Sequence, residues 1–185
     1  MAPETNVNGI NIDQLFNTID FVKLKPELAK FTFRATNKWL GGTHSHATVK
    51  DFFGAGQEDT SRAPVSYDLD EPPVLLGTNQ GTNPVEYLLV ALSGCITTTL
   101  VAYASAKKIP LRSVESRFEG DIDLRGFLNI SEEVPVGYQE IRVYFKIDAD
   151  ISDAEKEELV RMGEKYSPVT NTIKNQTPVL VQLEK

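Results

Sequence analysis

Cys95, His44 and His46 are the side chains of this sequence best able to do nucleophilic or acid–base chemistry at neutral pH; it has one Cys and two His in all. A single thiol acts as a thiolate nucleophile when a cation lowers its pKa, and as an inert small hydrophobe when apolar burial raises it. His44 and His46, two residues apart in a strand-like run, point the same way, opposite Ala47 and Val49. They read either as an exposed strand pair or as a base, one of them pairing with Cys95 as thiolate and imidazolium. Arg34, also turned from the apolar side of its strand, is the alternative cation. Together with Cys95 the histidines could also ligate a metal, but one Cys and two His fall short of a four-ligand zinc site without carboxylates or a second subunit. No metal and no other cofactor is expected. One Cys also excludes a disulfide within the chain and, with it, an oxidised secreted scaffold.

The thiol needs a helix to carry it. Asn83-Pro84-Val85-Glu86 reads as a helix start, with Asn83 as cap, Pro84 at the first position and Glu86 able to reach back to the cap amide. Glu86 is thus either a cap or a site residue. Tyr87 to Ala106 carries no charge, and Val85, Leu88, Leu89, Leu92, Ile96, Leu100 and Tyr103 leave little polar face, as in a central helix. Cys95 sits some three turns in, beyond the reach of the helix dipole. Ser93, Gly94, Thr97, Thr98, Thr99 and Ser105 make the run too polar for a bilayer, so no membrane span is expected. Ala91, Ser93, Gly94, Ala102 and Ala104 permit close approach by a symmetric partner helix, which predicts a homodimer.

Around this helix the period alternates. Residues 11–30 look helical, with Leu15, Phe16, Ile19 and Val22 on one stripe and a restart at Pro26. Phe31 to Phe53 reads as a hairpin turning at Gly41-Gly42, and Val65, Tyr67 and Leu69 as a third strand. Beyond Lys108, Val114, Phe118, Ile122 and Leu124 mark one strand and Ile141, Val143, Phe145 and Ile147 another, each with one wet face, as in antiparallel sheets. Ser152 with Glu155 forms a capping box for an acidic helix, a short helix starts at Ser167-Pro168, and Val179, Val181 and Leu183 predict a last strand. The class is α+β. A net charge of −7 and a pI near 4.9 argue against nucleic acid. The N-terminus has neither the basic start nor the apolar core of a secretory signal, so a cytoplasmic protein is expected.

The run GTNQGTNPVEYLLVALSGCITTTLVAYASAKKI, with a Cys eleven residues after the Pro of an NP helix start, resembles the OsmC/Ohr family of organic hydroperoxide reductases. The hairpin before it, and the antiparallel strands, acidic helix and YSPVTNTI after it, follow the same order. The resemblance covers residues 31–185 as one OsmC-like domain, with 1–30 as an added helical arm. It implies antiparallel sheets around a long central helix and an intertwined homodimer with sites at the subunit interface. It also implies a peroxidatic Cys oxidised to sulfenic acid, a resolving Cys, and an Arg with a nearby Glu that activate the thiol. Cys95 takes the peroxidatic position. The resolving position reads Ser167, which suits an N-cap but has no sulfur, so an external thiol reductant would be needed. Val85 stands where the Ohr-type Glu would be, with Glu86 one residue on, and after Gly41-Gly42, where the Ohr-type Arg is expected, the chain reads Thr43-His44-Ser45-His46, either His being able to replace the Arg. The implied function is a peroxidase of the hydroperoxide-reductase kind, or another thiol-dependent handling of a small molecule. The alternative is a non-catalytic dimer on the same fold that binds a small apolar ligand.

Overall fold

The computed structural model describes residues 6–184. The chain divides into two compact units, one of residues 11–88 and one of residues 6–10 with 89–184.

The first unit opens with helix α1 (Ile12–Leu24), capped by Asn11, whose Oδ1 accepts from the Gln14 amide at 2.9 Å. Pro26 stops it and starts a 3-10 turn, Pro26–Ala29, as the Pro predicts. Leu15 and Val22 are half-buried, while Phe16, Ile19, Phe21 and Leu24 remain exposed. Strands β3 (Thr32–Gly41) and β4 (His44–Gly54) form the predicted antiparallel hairpin. The two earlier strands are two residues each, β1 (Asn6–Val7) and β2 (Ile10–Asn11). Gly42 at the hairpin turn has φ 57°, a left-handed conformation that glycine adopts without steric cost. Strands β5 (Gln57–Asp59) and β6 (Val65–Leu69) both pair antiparallel with β4.

The register sorts this sheet into two faces. Lys38, His46 and Asp68 lie in one row and Thr36, Thr48 and Ser66 in the next, all on a polar face. Ala35, Val49 and Val65, then Asn37, Ala47 and Tyr67, then Trp39, Ser45 and Leu69 alternate onto the other face. The Tyr87 ring meets Tyr67 on that mainly apolar face, centroids 5.4 Å apart. Trp39 is nonetheless 70% exposed, so the sheet presents apolar surface that its own unit leaves uncovered.

Helix α2 (Pro84–Ala106) belongs to the first unit through Leu88 and to the second from Leu89. The start is built as the sequence predicts. Asn83 Oδ1 accepts from the Val85 amide at 3.0 Å, and Glu86 Oε2 accepts from the Asn83 amide at 3.1 Å. The helix is long and apolar enough to cross a membrane by length and composition, yet Leu92, Ile96, Leu100 and Ala104 are buried within the folded chain.

In the second unit, β7 (Leu111–Asp121) and β8 (Glu140–Ala149) form an antiparallel pair with a wet, charged face. The first is shorter than the alternation predicts. Asp123 accepts from the Arg125 amide at 2.9 Å and caps a one-turn helix, α3 (Leu124–Phe127), so Leu124 leaves the strand. Helix α4 (Asp153–Tyr166) has the predicted capping box of Ser152 and Glu155. Leu100, Ala104 and Leu159 form the core, with Val114, Phe145 and Ile147 packed against it. A Cβ at Gly163 would meet Ile96 Cγ2, Ile96 O and Leu100 Cβ, each at 3.2 Å, so glycine sets the approach of α4 to α2. Helix α5 (Pro168–Lys174) follows. The predicted last strand is not formed. Residues 176–184 have no secondary structure, and Val179, Val181 and Leu183 are 83–88% exposed. Their alternation suits a strand, but among the described residues no strand pairs with them.

Candidate functional site

Cys95 lies on α2 as predicted and is half-buried. It falls between Leu92 and Ile96, which are buried, and Ala91, Gly94 and Thr98, which are exposed. The thiol is therefore at the border of the packed face and not within it. Its carbonyl accepts from Thr99 Oγ1 at 2.8 Å, a bond that keeps the Thr hydroxyl satisfied inside the helix.

The cations proposed from sequence each hold a carboxylate of their own sheet. Arg34 makes a bidentate pair with Glu58 at 2.8 and 2.9 Å, both side chains about half exposed. That fork holds the Glu58 carboxyl below its ordinary pKa and raises that of Arg34. His44 Nε2 and His46 Nδ1 meet one oxygen, Asp68 Oδ1, at 3.1 and 3.0 Å. These two bonds, that of His46 foremost, hold Asp68 below its usual range. An ionised carboxylate only accepts, so both imidazoles donate to Asp68 through these two nitrogens. Asp68 escapes a search for spaced motifs because it acts across strands. The signal was present all the same, since it alternates with Tyr67 and Leu69 and so must face the other way.

Glu86 serves as the α2 cap described above. Ser167 is fully buried and caps α5, its Oγ accepting from the Thr170 amide at 3.1 Å. Among the described residues no group of three or more His, Cys, Asp or Glu side chains is placed to hold a metal ion.

A second carboxylate organises the approach to α2. Asp70 is 2% exposed and accepts from Thr43 Oγ1 (2.6 Å), the Glu71 amide (2.8 Å), the Thr78 hydroxyl (2.8 Å) and the Thr78 and Gln80 amides (3.0 Å each). These donors, with Thr43 first, hold its pKa well below the usual carboxylate range. Asp70 thereby ties the β3–β4 turn, next to His44, to the loop that leads into Asn83. Sequence reasoning missed this node, whose only trace was an Asp between a strand and a Pro-rich loop.

An α+β chain with one half-buried thiol in mid-helix, after an Asn-Pro start, defines a class of small thiol proteins. Its family follows directly, because the family model described as OsmC-like protein matches residues 77–182. The chain belongs to the OsmC-like family. Among solved structures it is similar to an OsmC-like protein from Mycoplasma pneumoniae, with 20% identity and a TM-score of 0.61, covering 78% of this chain and 89% of that one. It is similar also to an organic hydroperoxide resistance protein OsmC from Legionella pneumophila (22% identity, TM-score 0.57, 77% and 89% covered). A third is an organic hydroperoxide resistance protein from Elizabethkingia anophelis, solved with thiocyanate bound (18%, 0.57, 78% and 89%). At such identities the likeness is one of fold. No curated protein matches the chain.

Proposed function

We propose that this protein reduces organic hydroperoxides, or handles another small thiol-reactive molecule, through Cys95 alone, as a homodimer that turns over with an external thiol. The observation that carries the reading is the position of Cys95, mid-helix on α2 at the edge of the packed face; by the family resemblance Ser167 stands at the position of a resolving thiol. Relatives named for organic hydroperoxide resistance support the substrate class.

The chemistry balances without a second cysteine. The Cys95 thiolate attacks the terminal oxygen of the hydroperoxide, an S–O bond forms and the O–O bond breaks, and the alkoxide leaves as the alcohol after taking a proton. Sulfur is oxidised to the sulfenic acid and the peroxide is reduced. An external thiol then displaces water to give a mixed disulfide, and a second thiol releases Cys95 with formation of the external disulfide. A cation must favour the thiolate, and His44 and Arg34 are the candidates from this or the second copy. Each would have to exchange its own carboxylate, Asp68 or Glu58, for the thiolate. Glu86 caps α2, and Ser167 would be a polar neighbour at the vacated resolving position.

Exposed surface supports the second copy. Phe33 and Trp39 of the first unit's sheet are 72% and 70% exposed, and apolar surface of this kind is what a second copy would cover. Wild-type protein should consume an organic hydroperoxide in the presence of a monothiol or dithiol, and Cys95→Ser should fall to background. Activity that survives the substitution contradicts the proposal.

A further inference from the structure

The second unit contains a cleft of about 490 Å³, within the size range of small-molecule sites. Its wall is apolar: Leu92 and Ile96 from α2, Ile141 and Phe145 from β8, Val160 from α4 and Ile173 from α5. Cys95 is not part of it. Thr170 also lines this wall, is 7% exposed, and its Oγ1 is sealed from solvent without a hydrogen-bond partner among the described residues. Buried hydroxyls are normally bonded, so an unmet one calls for an explanation. Thr170, which lines the cleft, therefore carries an unmet hydroxyl.

The charges at the cleft narrow the ligand class. Glu164 is held by Lys174 at 2.8 Å and Glu140 by Arg142 at 2.8 Å. Among the described residues the cation that lines the cleft, Lys174, is thus already paired and offers an acid no free counter-charge. From the orphaned hydroxyl, the apolar wall and these paired rims, we propose that the cleft binds a small aliphatic or aromatic molecule with one neutral oxygen group, such as an alcohol or ketone. The oxygen hydrogen-bonds Thr170 and the hydrocarbon fills the space between α2, β8 and α5. This site stands whether or not Cys95 is redox-active.

The test uses full-length protein and three probes: 1-octanol, n-butylbenzene, which lacks oxygen, and octanoate, which is charged. Titrations followed by methyl NMR should show octanol and butylbenzene shifting the Leu92, Ile96 and Ile173 signals, and octanoate binding more weakly. Thr170→Val keeps the shape and removes only an unpartnered hydroxyl, so its Tm should equal or exceed that of the wild type. Its octanol affinity should drop roughly three- to tenfold with butylbenzene unchanged. Ile173→Trp, at a partly open wall position, should remove binding of both while the protein stays folded. The proposal is overturned if octanol leaves the cleft methyls unmoved up to millimolar concentration, if Thr170→Val weakens both probes alike or neither, or if octanoate binds as well as octanol. Cleft signals that respond only to protein concentration also overturn it, because the cleft is then the seat of a second copy.

Discussion

At the residue scale, Asp70 is the group whose removal the structure makes most legible. It is ionised and buried, and donors alone satisfy it. Its folded pKa lies below its unfolded value, so the stabilisation is complete above the unfolded carboxylate range near pH 4 and fades as pH falls through the folded value. Asp70→Asn offers one acceptor oxygen and turns an NH2 toward donors. Calorimetry should show a Tm several degrees lower at pH 7 and a shallower loss of Tm below about pH 4; an unchanged Tm at pH 7 would refute the role. The residues with chemistry were readable because Cys, His and Arg are identifiable by type, and because alternation gives their faces. Their partners were not. Asp68 and Glu58 reach His46 and Arg34 through strand pairing, and pairing register is a long-range property that a one-dimensional pattern leaves open.

At the element scale, three helix starts were legible to the residue. Asn83, Ser152 and Ser167 each cap as the pattern predicts, because a cap depends on neighbours within four positions. The misreadings lie where local pattern competes with tertiary context. Leu124 continues a strand alternation but follows Asp123, which caps a turn instead. Val179, Val181 and Leu183 alternate correctly yet pair with no strand among the described residues. The N-terminal arm has a role the sequence hid. Asn8 Nδ2 donates to Ser105 Oγ (3.1 Å) and Ile109 O (2.9 Å), while its Oδ1 accepts from the Leu111 amide (2.8 Å). These bonds pin the segment at Asn8 to the end of α2 and the start of β7 within the second unit. Asn8→Ala leaves those partners unmet and should cost about 1–3 kcal/mol in denaturant unfolding; a change within error would show that solvent replaces the bonds. Gly163→Ala drives a methyl against the Ile96 carbonyl, which cannot turn aside, so overpacking outweighs the better helix propensity. A loss of about 1–3 kcal/mol is expected, and a gain would mean that α4 shifts freely.

At the scale of the whole molecule, the chain looks unfinished alone. Trp39, Phe33, Leu88, Val90 and the 179–183 segment are all exposed, and apolar surface of this extent marks an interface. Sedimentation or light scattering should therefore give twice the 20.5 kDa chain mass, and a monomer at micromolar concentration would contradict the proposed homodimer. The dimer was suggested by small residues along α2, and the exposed surface of the folded chain supplies an independent reason for it. The account as a whole turns on the thiol. Treating the protein with one equivalent of an organic hydroperoxide in the presence of dimedone, followed by peptide mass spectrometry, reads the reaction at its first step. A single dimedone adduct per chain is expected, located at Cys95 and absent when peroxide is omitted. An unmodified Cys95 in folded protein, with the hydroperoxide unconsumed, would contradict it.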